Sequence, residues 1–100
     1  MSTERGHGDD MTIRRATPGD GGALRRLAAL AESDPLRGDV LLVEVGDELW
    51  AAVDLATGRE ISDPFRPTLP ARRLLRLRRE SLALASGRVG RLRALRERLA

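Results

Sequence analysis

Few residues of this chain have the types and spacing that chemistry needs. His7 is its only histidine and it has no cysteine. That removes disulfides, thiolate and histidine metal sites and Ser-His-Asp catalysis together, and no catalytic or metal-ligating residue is assigned. The chemistry that remains is anion binding by arginine. All 18 basic residues are arginine, an identity a GC-rich coding sequence writes by itself, so their distribution carries the information. Residues 1–65 hold 7 Arg against 13 Asp and Glu, a net of −6, and residues 66–100 hold 11 Arg against 2 Glu, a net of +9. An acidic front and a basic tail can bind each other, and the tail can bind phosphate. Nucleic acid is the weaker choice of partner, because Trp50 and Phe65 are the only aromatics and base stacking needs more.

The elements that position the arginines turn on the stretch from Gly58 to Glu80. Pro64, Pro67 and Pro70 lack backbone N–H groups, so strand pairing stops near Asp63. Thr68 then caps a long arginine-rich helix, with Pro70 in its first turn. On a helical wheel Ala71, Leu74, Leu75, Leu77, Leu82 and Ala85 form an apolar stripe, with Arg72, Arg73, Arg76, Arg79 and Glu80 opposite. Arg78 falls inside the stripe, and is expected to be partly buried against Glu44, Asp54 or an acid from a second chain. Ser86-Gly87 and Gly90 interrupt the pattern, and Val89, Leu92, Leu95 and Leu99 begin a second amphipathic piece.

Upstream, a polar leader over residues 1–11 is expected to be disordered, and a first strand covers 12–16. Thr17-Pro18-Gly19-Asp20 has the form of a capping box. The helix behind it turns Leu24, Leu27, Ala28 and Ala31 to one face, and Asp34-Pro35 ends it. Strands over 39–45 and 48–55 are joined by Gly46-Asp47, a two-residue hairpin turn. Val40, Leu42 and Glu44 share one face of the first, and Leu41, Val43 and Val45 the other. In the second, Leu49, Ala51, Val53 and Leu55 oppose Trp50, Ala52 and Asp54. Both faces are largely apolar, so helices should cover the sheet on both sides, and residues 59–62 supply a fourth strand. The reading is an α/β (α+β layered) domain over 12–85, with a small mixed sheet and an arginine-rich helical extension over 86–100. No apolar run approaches the roughly 20 residues of a membrane span, and a cytoplasmic protein is expected.

This succession resembles the front half of a GNAT-family N-acetyltransferase. Ile13-Arg14-Arg15-Ala16-Thr17-Pro18-Gly19-Asp20 is similar to that family's first strand and helix start, and the hairpin from Val40 to Leu55 to its second and third strands. The resemblance implies that Arg66, Thr68 and Ala71 stand where the family holds the acetyl-CoA pyrophosphate, at a helix N-terminus where free N–H groups and the dipole favour anions. Arg66 and Ala71 match the family's R/Q-x-x-G-x-G/A loop. Leu69 replaces a glycine, and Pro67 and Pro70 delete two amides, so the loop reads as degenerate. Glu60 stands where some members carry a general base, but no second catalytic group accompanies it, and a solvated strand carboxylate is the simpler reading. The leading expectation is therefore a GNAT-like association module without an ordinary cofactor. An acyltransferase with a divergent or shared site, taking acetyl-CoA, is the alternative, and phosphate or nucleic-acid binding by the arginine helix another. An open fourth strand and the C-terminal seam point to a homodimer or a protein partner.

Overall fold

The structure, a computed structural model, describes the backbone of residues 11–99 and the side chains of residues 11–87. The elements run β1 (Met11–Arg15), α1 (Gly21–Leu30), β2 (Val40–Val45), β3 (Glu48–Asp54), β4 (Glu60–Ser62) and α2 (Leu69–Leu99). The strands lie in chain order, β1-β2-β3-β4, and every pair is antiparallel. This corrects the expectation of a mixed sheet. Residues 31–39 carry the chain back along the sheet after α1, so β2 returns beside β1 in the opposite sense. Met11 belongs to β1, paired with Val45, and not to a leader.

Local chemistry explains the elements. Thr17 donates its N–H to Asp20 Oδ2 at 2.6 Å while Asp20 donates its own N–H to Thr17 O at 2.9 Å. The capping box forms, opening a 3-10 turn, Pro18–Asp20, that leads into α1. Gly46 sits at φ 64° in the β2–β3 turn, a conformation that costs glycine little.

One core lies on each face of the sheet. Leu24, Leu27 and Ala28 of α1 meet Val40, Leu42, Ala52 and Ile61. Ala71 and Leu75 of α2 meet Leu41, Val43, Ala51 and Val53. Helices therefore cover both faces, as the double apolar patterning requires. Leu49 departs from it. The register passes from Val43 opposite Ala51 to Glu44 opposite Leu49, leaving Trp50 as the extra residue of a β-bulge. Strand alternation breaks there, and Leu49 turns over to the α1 core.

The long helix also departs from its wheel. Ala71 and Leu75 are buried and Leu82 is half-buried, but Leu74 and Leu77 face away from the sheet, 37 % and 63 % exposed. Arg78 is exposed. Glu44 is taken by Arg14, and the Asp54 carboxylate accepts the Ala56 and Thr57 N–H groups, so neither acid waits for it. Arg79 occupies the sheet-facing position instead, donating from Nε to Leu55 O at 3.1 Å. Its guanidinium lies so close to Gly58, at φ 81°, that a Cβ there would come within 2.9 Å of Nη1. The backbone conformation favours glycine there, whereas the guanidinium, at the end of a flexible side chain, could move aside.

No break occurs at Ser86-Gly87 or Gly90: α2 is one helix of 31 residues, about 46 Å long. A glycine inside a helix costs only about 1 kcal/mol against alanine, which the flanking turns absorb. The extension expected over 86–100 thus continues the domain's own helix, while the seam of Val89, Leu92, Leu95 and Leu99 lies outside the described side chains. The long helix gives extents of 59 × 35 × 23 Å and a radius of gyration of 16.5 Å, against about 13 Å for a compact chain of this length.

Candidate functional site

The corner between β4 and α2 carries the three residues assigned to a cofactor. It folds as an Asx-type turn: Phe65 donates its N–H to Asp63 Oδ1 at 2.8 Å, and Asp63 donates its own to Trp50 O at 2.9 Å. Arg66 leaves this turn sideways. Its Nη2 donates to Glu48 Oε2 at 2.7 Å, and its guanidinium carbon lies 5.6 Å from the centre of the Trp50 ring, within cation–π range. Thr68 is buried at the cap position, its carbonyl accepting from Arg72 N–H at 2.8 Å. Ala71 is buried one turn further on, against the sheet. The corner therefore does not gather Arg66, Thr68 and Ala71 into one cradle: Arg66 engages β3, while the other two sit beneath the surface.

Glu60 faces α2 and accepts from two of its arginines, from Arg76 Nε at 2.7 Å and Arg72 Nε at 3.3 Å. Partial burial pushes its carboxyl up, but the hydrogen bonds from Arg76 and Arg72 outweigh that, and the net shift is down. Arg76 is raised in turn, chiefly by the same hydrogen bond. A carboxylate so paired is a poor proton acceptor. It clamps the edge strand to the helix, a paired and largely covered carboxylate where a solvated one was expected.

A second cluster was not anticipated as a unit. Arg14 donates both terminal nitrogens to Asp20, each at 2.8 Å, and Nε to Glu44 Oε1 at 2.9 Å. Asp20 is held well below the usual carboxylate range, first by Arg14 and then by the Thr17 N–H, and Arg14 is raised correspondingly. The signal was present in the sequence. Arg14 and Glu44 are charged residues on the same face of neighbouring strands, which antiparallel pairing sets diagonally apart.

This cluster walls a cavity of about 330 Å³ between α1 and the hairpin end of the sheet, with Leu27, Leu42 and Leu49 beneath and Glu48 and Arg66 across from it. Leu49 reaches it only through the bulge. Arg14, Asp20 and Glu44 are engaged with one another and Arg66 with Glu48, while Arg26 and Asp47 also line the cavity. Among the described residues no three or more His, Cys, Asp or Glu gather as a metal site, and no helix is long and apolar enough to cross a membrane.

No family model, curated protein or solved structure matches this chain. The geometry therefore carries the functional argument alone. It contains two arginine–carboxylate clamps, a proline corner that turns its arginine away from the helix terminus, and a row of leucines on the outside of α2 that only exposure could reveal.

Proposed function

We propose that this chain is a GNAT-like domain used for protein association, in the cytoplasm, without ordinary acetyl-CoA binding. The order of its elements and the chain-order antiparallel sheet agree with the front half of that fold, an analogy of architecture that assigns no activity. The observation that carries the reading is the outer side of α2, where Leu77 and Leu84 are each 63 % exposed. A helix needs one apolar face to dock on its own sheet, and Ala71 and Leu75 already supply it. Either a second copy, as the sequence suggests, or a different chain can take the other face. The corner supports the negative half of the proposal, since Arg66 is committed to Glu48 and Pro67 and Pro70 offer no amide.

Calorimetric titration with acetyl-CoA at sub-millimolar concentration is the test. No specific heat is expected. Stoichiometric binding that disappears in Arg66→Ala would overturn the reading and restore an acyltransferase.

A further inference from the structure

The outer side of α2 has a pattern of its own. Leu74, Leu77, Ser81 and Leu84 follow one another at intervals of three and four, the a and d positions of a heptad. Thr68, Ala71, Leu75 and Arg79 occupy the sheet side, and Leu82, half-buried, follows Leu75 two turns on. Leu74, Leu77 and Leu84 are 37 %, 63 % and 63 % exposed. The sequence repeats the interval further along the helix as Leu92, Leu95 and Leu99. A seam this narrow fits a second helix, whereas a helix lying in a membrane surface presents a broader apolar face.

Charge selects the kind of helix. From Leu69 to Leu99 the sequence has 10 Arg and 2 Glu, a net of +8. Arg72 and Arg76 are taken by Glu60, and Arg79 by Leu55 O. Arg73 and Arg78 are exposed and border the seam directly, at the g and e positions. A second copy on this seam meets its own charge. In a parallel pair Arg73 faces Arg78 of the other copy. In an antiparallel pair with the leucine layers overlapped, the two Arg78 side chains face each other, as do the two Glu80.

We propose that the outer face of α2 docks an acidic amphipathic helix of a different protein, with aliphatic residues against Leu74, Leu77 and Leu84 and carboxylates against Arg73 and Arg78. This rests on the association reading above. It goes further by excluding the second copy from this face.

The probe is a synthetic helical peptide of roughly four heptads with leucine at a and d and glutamate at e and g, set against the same peptide with arginine at e and g. The full chain is expected to bind the glutamate peptide and not the arginine peptide, more weakly as salt is raised. Leu77→Asp should weaken binding by roughly 30-fold, the size of an interface hot spot, with an unchanged circular dichroism spectrum because the residue is exposed. The double variant Arg73→Glu, Arg78→Glu should exchange the preference and take the arginine peptide. Equal binding of both peptides, or of neither, overturns the proposal. So does self-association lost on Leu77→Asp, which assigns the face to a second copy and leaves the association reading standing. Binding of anionic vesicles or duplex DNA in preference to the glutamate peptide overturns both.

Discussion

Replacing Leu75 by alanine is expected to lower the unfolding free energy by about 3 kcal/mol, the usual cost of emptying a well-packed leucine site. Leu75 has no exposed surface and lies where α2 crosses the sheet, among Leu41, Val43, Ala51, Val53 and Ala71. Few other side chains hold this helix down, since Leu74 and Leu77 point outward. The loss is a large part of the roughly 5–15 kcal/mol that stabilises a domain, and corresponds to a fall in Tm of roughly 12–24 °C. Leu77→Ala, two residues along the same helix, should cost less than about 0.5 kcal/mol. Urea unfolding of both variants checks the orientation of α2. Equal losses, or a larger one at Leu77, would mean that the sheet-facing side has been misassigned.

The second large effect is expected at Asp20. Its carboxylate accepts both terminal nitrogens of Arg14, the Thr17 N–H at 2.6 Å and the Thr17 hydroxyl at 3.1 Å, so one side chain ties β1 to the start of α1. Losing the cap costs about 1 kcal/mol. Losing the two-pronged arginine pair costs about another, discounted because Arg14 is partly exposed and keeps Glu44. Asp20→Ala should therefore cost about 2 kcal/mol at pH 7. A carboxyl held low in the folded state contributes stability that is complete above its unfolded pKa, about 3.9, and is lost as pH falls through the folded value. The gap between the native chain and Asp20→Ala should narrow steadily below about pH 4. Glu60, also lowered, adds to the acid sensitivity of both proteins alike. Urea midpoints from pH 7 to pH 2 provide the measurement, and a gap independent of pH would show that the carboxylate acts by shape alone.

Periodicity made the strands, the hairpin turn and the two-sided burial of the sheet legible, because alternation and helical spacing follow directly from where side chains point. It failed at Leu49, where one inserted residue reverses the faces and leaves no mark in the apolar pattern. It failed again on α2. The wheel counted leucines, but the sheet accepts Arg79, whose aliphatic stem packs like an apolar residue while its head finds the Leu55 carbonyl. That rotation exposes Leu77 and Arg78 together. At the corner, the prolines and the cap at Thr68 were readable, whereas the side to which Arg66 turns depends on Glu48 and Trp50, 18 and 16 positions away in the chain. Arg14 and Glu44 were readable as charged strand residues, and only the register made them partners of each other.

The direction of α2 has a mechanical consequence. Met11 lies beside Val45 at the hairpin end of the sheet. The helix passes Leu55 at the opposite end, where Arg79 anchors it, and continues from there to Leu99, about 30 Å further. Cargo fused before Met11 and cargo fused after Leu99 would be carried at opposite poles of a rod, separated by its whole length. The two positions cannot be joined by a short linker, so a circular permutant through them would require bending the helix back on itself.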